Sequence, residues 1–261
     1  MDESYLEQLD VNLLKQNISD FWNINFEKAT QGELQAAYLK CFLTGTMKEY
    51  PINFYSILIE GGTKLYRVRG DITYYTDIKQ MQDFSYNPEP KLNRFNNELE
   101  KTLYVSTNYD VSTKEIGITP GRKFLLLEYE VTKKMFVRAA NISNWYQSES
   151  SENKEKINIL NSFVNGIMAV SSDEKSLAYK ITTLLKDYPP FSLGDKEIGW
   201  FYQSTKGQGA NLALRYPKAN GFLKLYDFNI LEMGKDKDFY VAENKEIADW
   251  KKEIIDYGII I

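Results

Sequence analysis

Segments with helical period and segments with strand period follow one another in blocks along this chain, and do not alternate one for one. The first fifty residues read as helical. Leu6, Leu9, Leu13 and Leu14 recur at helix spacing, and Thr30-Gln31-Gly32-Glu33 is a capping box that opens a second helix before the apolar run 36–47. Pro51 marks its end. A block of strands follows: 54–60 and 64–70, read as a hairpin around Gly61-Gly62, then 102–106, 123–132 and 135–139. Between them, 74–99 reads as a long loop, a length that in a compact domain points to function or mobility. Helices return at 156–170 and 173–185, stopped by Pro189-Pro190. Strands return at 200–203, 212–216, 222–231 and 239–242, and 247–255 reads as a closing helix. Clustered elements predict an α+β fold, since a doubly wound sheet needs regular β-α alternation.

Length and composition set bounds on function. The chain has 261 residues, near the upper limit for one domain, with 43% apolar and 26% charged residues, an ordinary balance for a folded protein. It holds 19 Tyr and 14 Phe. Tyr joins an apolar ring to a polar tip, so this bias suits a ligand pocket as well as plain strand filling. The net charge is −4 with no sustained basic stripe, which argues against nucleic-acid binding. A single cysteine, Cys41, cannot form an internal disulfide, so a reducing compartment is expected, and its place in an apolar helical run marks it as a buried small hydrophobe. The start Met1-Asp2-Glu3-Ser4 is acidic where a secretion signal is basic, and no stretch approaches the roughly 18 apolar residues of a membrane span. A cytoplasmic protein without membrane contact is expected.

There is no histidine. Ser-His-Asp and Cys-His catalysis and most zinc sites are thereby excluded, and acid–base work falls to Glu, Asp, Tyr or Lys. No close carboxylate cluster suggests a magnesium site.

Three stretches carry candidate chemistry. Ser204-Thr205-Lys206-Gly207-Gln208-Gly209-Ala210-Asn211 is Gly-rich and able to bring backbone N–H groups to a phosphate. A strand follows it where a dinucleotide fingerprint needs a helix, so a hairpin turn explains it equally. In Leu65-Tyr66-Arg67-Val68-Arg69-Gly70, strand alternation sends Arg67 and Arg69 to one face, where two guanidiniums need an anion or water between them. Arg94, Tyr104, Ser106 and Glu115 form the third group. Glu115 stands three residues after Ser112, the spacing of a local capping box, and Ser106 can serve as a strand-end turn residue.

In order, these pieces resemble the RES domain, a family named for its Arg, Glu and Ser. Leu65-Tyr66-Arg67 matches the family's hydrophobic-hydrophobic-Arg strand. Arg94-Phe95-Asn96 and Leu103-Tyr104-Val105-Ser106 match its Arg-Phe-Asn element and the strand after it. Glu115 falls on its short helix. Phe201-Tyr202-Gln203-Ser204 with Asn211-Leu212-Ala213 matches its last strand and Gly-rich turn. Leu92-Asn93 stands where the family usually has Gly-Gly, and Gln203 where it often has Pro. The resemblance runs over about 64–226.

It implies an ADP-ribosyltransferase-like core of two facing β-sheets with an NAD cleft and flanking helices. The expected organisation is a helical extension at 1–60 packed on an NAD-cleaving domain at 61–261. The implied activity is cleavage of the nicotinamide–ribose bond of NAD, by phosphate or water, in a toxin held by a partner antitoxin or in a defence effector. NAD is substrate here, with inorganic phosphate as possible acceptor, and no cofactor or metal is called for. Nicotinamide is already a good leaving group, so the lack of histidine is no obstacle. Glu115 is the implied stabiliser of the oxocarbenium-like ribosyl cation, with Arg67 and Tyr104 beside it in catalysis. Arg94, Arg69, Ser204, Asn211 and Ser106 are the implied binders. Two alternatives share the pocket: transfer of ADP-ribose to a protein, and a non-catalytic interaction protein with a degenerate site.

Overall fold

The computed structural model describes residues 4–43, 56–70, 95–96, 100–140, 148–169, 180–181, 184–204, 206–236 and 239–241. The chain divides into two compact units. One comprises Met1–Ile57, Lys91–Glu98 and Arg138–Lys196, and the other Leu58–Pro90, Leu99–Val137 and Glu197–Ile261.

The first unit is helical, with α1 (Ser4–Gln8), α2 (Val11–Trp22), α3 (Gln31–Lys40) and α5 (Ser151–Ala169). Local chemistry sets the starts. Asp10 caps α2 by accepting from the Leu13 N–H, and Thr30 and Glu33 form the predicted capping box of α3. The hydrogen bonds from Thr30 hold the Glu33 carboxyl below the usual carboxylate range. The core is aromatic: Phe163 of α5 meets Phe21 and Trp22 edge-on and lies against Phe42 and Tyr38. Leu6, Leu9 and Leu14 are buried as the helical spacing predicts, while Leu13 is exposed. Lys156 is buried because its charge is answered twice, by Glu152 at 2.7 Å and by the Leu6 carbonyl at 2.8 Å.

The second unit is built on β-structure. The strands are β1 (Ser56–Ile59), β2 (Lys64–Gly70), β3 (Thr102–Ser106), β4 (Lys123–Val131), β5 (Met135–Ala139), β6 (Glu197–Gln203), β7 (Ala210–Arg215), β8 (Leu223–Met233) and β9 (Phe239–Val241). They form one sheet in the order β1-β5-β6-β7-β3-β2-β4-β8-β9. Together with the helices this is an α+β fold. The sheet has a seam: β2 and β3 share the single antiparallel pair Tyr66–Ser106, whereas β2 and β4 pair along seven residues, from Lys64–Glu130 to Gly70–Phe124. A short helix, α4 (Tyr109–Ile116), enters where β2 and β3 part. Its Ser112 Oγ accepts the Val68 N–H at 2.9 Å, so β2 keeps a partner past the seam.

The hairpin expected around Gly61-Gly62 does not form. A turn is present, with Thr63 N–H donating to the Glu60 carbonyl, but β1 adds to β5 and β2 to β4. The turn instead runs beside the β4–β5 turn, where Gly62 N–H donates to Val131 and Val131 N–H to Thr63. Gly-Gly signals a reversal but carries no information about which strand each arm joins. The segment 74–99 falls outside the described residues except at Phe95 and Asn96, and the expected helices at 173–185 and 247–255 lie largely or wholly outside them.

Candidate active site

Four strands line up one row of side chains. Tyr66 on β2 pairs with Ser106 on β3, Ser106 with Asn211 on β7, and Asn211 with Tyr202 on β6. Directly paired residues share a sheet face, so these four lie side by side. Tyr104, two residues before Ser106, shares the face and is half-buried.

Helix α4 brings a carboxylate to this row. Asn108 caps its start, accepting from Val111 N–H at 2.8 Å, and Gly117 ends it in the left-handed conformation at φ 74°. The helix therefore begins at Tyr109, three residues before Ser112, and the capping box expected for Ser112 and Glu115 does not form. Ser112 faces β2, and Glu115 falls in the last helical turn. A negative charge there opposes the helix dipole, at a typical cost of about 0.3–1 kcal/mol. It is held by neighbours from elsewhere in the chain. Ser204 Oγ donates to Glu115 Oε1 at 2.7 Å, and Asn211 Nδ2 donates to the same oxygen at 2.9 Å. Ser106 Oγ donates to Asn211 Oδ1 at 2.6 Å. Ser106 and Asn211 are buried, and Glu115 and Ser204 are half-buried.

The Gly-rich stretch packs onto this helix. Ser204 N–H donates to the Gly209 carbonyl, Lys206 N–H to Ser204 Oγ, and Lys206 Nζ to the Glu115 carbonyl at 3.2 Å. Asn108 Nδ2 donates to the Gln208 carbonyl. Gly209 has φ 145°, and a Cβ there would lie 2.7 Å from Asn108 Nδ2 and 2.8 Å from Val111 Cγ2. Close approach to α4 is thus a structural reason for a glycine at 209.

The arginines lie elsewhere. Arg67 and Arg69 alternate with Tyr66, so they project from the opposite face of β2. There they flank the buried Tyr129 hydroxyl, and Arg67 hydrogen-bonds to it. Burial pushes that hydroxyl above the ordinary tyrosine range, against the pull of both guanidiniums. Arg94 lies outside the described residues.

The structure thus brings together Glu115, Ser204, Asn211 and Ser106 through hydrogen bonds, with Tyr104 on the same face. Sequence reasoning missed Tyr66 and Lys206. Tyr66 packs edge-on against Tyr109 of α4 at 6.3 Å, and burial, followed by Glu128, raises its hydroxyl's pKa. Only its long-range pairing with Ser106 reveals its place. Among the described residues no group of three or more His, Cys, Asp or Glu is placed to hold a metal ion, and no helix is long and apolar enough to cross a membrane.

No family model matches the chain, and no curated protein matches it. Among solved structures, a chain in the crystal structure of the M. tuberculosis MbcT–MbcA toxin–antitoxin complex is similar. The identity is 14% and the TM-score 0.36, over 67% of this chain and 87% of that one.

Proposed function

We propose that this protein is an enzyme that breaks the nicotinamide–ribose bond of NAD, passing the ribosyl group to phosphate or water, in a toxin or defence role. The observation that carries this reading is the carboxylate of Glu115, set against its helix dipole and held by Ser204 and Asn211, about ninety residues away in sequence. A purely structural acid at that helix end has little reason to be there. A carboxylate prepared for a developing cation does.

In this reading the C1′–N bond breaks with its electron pair leaving on nicotinamide, which departs neutral. The ribosyl carbon is left as an oxocarbenium-like cation. Glu115 faces that charge and holds a ribose hydroxyl. Tyr104 lies two residues along β3 from Ser106 and offers its ring and hydroxyl to the nicotinamide end. An oxygen of phosphate or water then forms the new C–O bond, the proton passing to solvent. The family resemblance makes Arg67 and Arg69 pyrophosphate binders, because planar guanidiniums match phosphate oxygens. They project, however, from the face of β2 opposite the Tyr66 row, so this reading rests on Glu115 and its donors without them. An antitoxin covering the site fits the toxin role.

The test is purified protein with NAD, with and without phosphate, and products resolved by mass. Nicotinamide with ADP-ribose 1″-phosphate or ADP-ribose supports the reading. Intact NAD contradicts it. ADP-ribose found on protein moves the assignment to transfer onto a protein target.

A further inference from the structure

We propose that Ser106 is a positioning residue that acts through Asn211, and that the two together fix which oxygen of Glu115 meets the substrate. This rests on the NAD reading and gives Ser106 and Asn211 a positioning role where the family resemblance implies a binding one.

The two oxygens of Glu115 have different surroundings. Oε1 accepts from both Ser204 and Asn211. Among the described residues, Oε2 accepts no hydrogen bond. One oxygen is therefore anchored by two donors, which leaves the other for a ligand. The anchor depends on the orientation of an amide. Asn211 presents Nδ2 to Glu115, and this requires Oδ1 to point the other way, toward β3. Ser106 lies directly across the ladder and donates its hydroxyl to that oxygen at 2.6 Å. Both side chains are buried, so water is a poor substitute donor.

Without the Ser106 hydroxyl, the buried Oδ1 lacks its partner, and the amide rotates to seek another. Nδ2 then leaves Oε1, Ser204 alone holds the carboxylate, and Glu115 samples rotamers in which Oε2 no longer faces the ribose. Ser106 touches no substrate in this scheme. Its effect is on the rate of the chemical step, with little effect on binding.

The experiment compares wild type with Ser106→Ala and Ser106→Thr. Threonine keeps the hydroxyl and suits a strand. The first readout is NAD turnover. Ser106→Ala lowers kcat about tenfold with KM within about twofold, and Ser106→Thr restores most of the rate. The second is independent of activity: water exchange of the Asn211 side-chain NH2 protons, followed by 15N NMR. It is slow in wild type, at least about tenfold faster in Ser106→Ala, and slow again in Ser106→Thr. A rise in KM with kcat unchanged makes Ser106 a direct substrate contact and overturns the proposal. So does an Asn211 amide that exchanges equally slowly without the hydroxyl. If wild type leaves NAD intact, the NAD reading fails and the amide exchange alone decides whether Ser106 orients Asn211.

Discussion

Arg67 shows how one guanidinium can satisfy a buried hydroxyl. Its guanidinium hydrogen-bonds to the hydroxyl of Tyr129, which is 1% exposed. Arg67→Ala leaves that hydroxyl buried without its donor, an effect of about 1–3 kcal/mol. Tyr129→Phe removes the acceptor instead, and in that background Arg67→Ala is much milder. Urea unfolding of the four members of this cycle measures the coupling. Equal and additive losses would show that the bond contributes nothing. Glu115 contrasts with Arg67. Glu115→Gln keeps an oxygen acceptor for Ser204 and Asn211 but removes the charge, so thermal stability stays close to wild type. Losing a charge contact made in the transition state lowers kcat about 10²–10³-fold. The residue types were legible in the sequence, the absence of histidine included. Their partners were not. The sequence places Glu115 at capping-box spacing from Ser112, whereas its donors stand at 204 and 211.

At the scale of the element, the Gly-rich turn and α4 act as one piece. The turn that looked like a cradle for phosphate is docked on the helix through Ser204, Lys206 and Asn108. Two glycines separate conformation from packing. Gly62 has φ 87° and open space around it, so Gly62→Ala meets only the left-handed backbone penalty of about 1–2 kcal/mol. Gly209 also meets Asn108 and Val111, so Gly209→Ala lifts the turn off α4. It is the more destabilising change in urea unfolding and lowers NAD turnover as well, because Ser204 moves with the turn. Comparable losses for both variants, with turnover intact, would contradict this account. Strand positions were legible in the sequence, as at 102–106 and 135–139. Strand partners were not, because the Gly61-Gly62 turn is local and the pairings of β1 and β2 are long-range.

At the scale of the whole molecule, the blockwise order of helices and strands predicted an α+β fold, and the structure has one. The seam between β2 and β3 was not foreseeable, since it depends on where Ser106 ends a strand and Asn108 starts a helix. The two compact units interleave in sequence, and no linker composition marks their borders. Cys41 reports on the helical unit. Burial, reinforced by Asp20, pushes its thiol up to about 12. At pH 8 the thiolate is then roughly one part in ten thousand. Iodoacetamide labelling at pH 8 is expected to be negligible for the folded protein and to rise when denaturant opens this unit. Rapid labelling of the folded protein would place Cys41 at an accessible surface. The central claim concerns the other unit. Its most direct test is the mass-resolved products of NAD incubated with wild type and with Glu115→Gln at equal concentration. Release of nicotinamide by wild type, slowed at least about 10²-fold in the folded variant, is the predicted result. Equal release by both, or none by wild type, would contradict it.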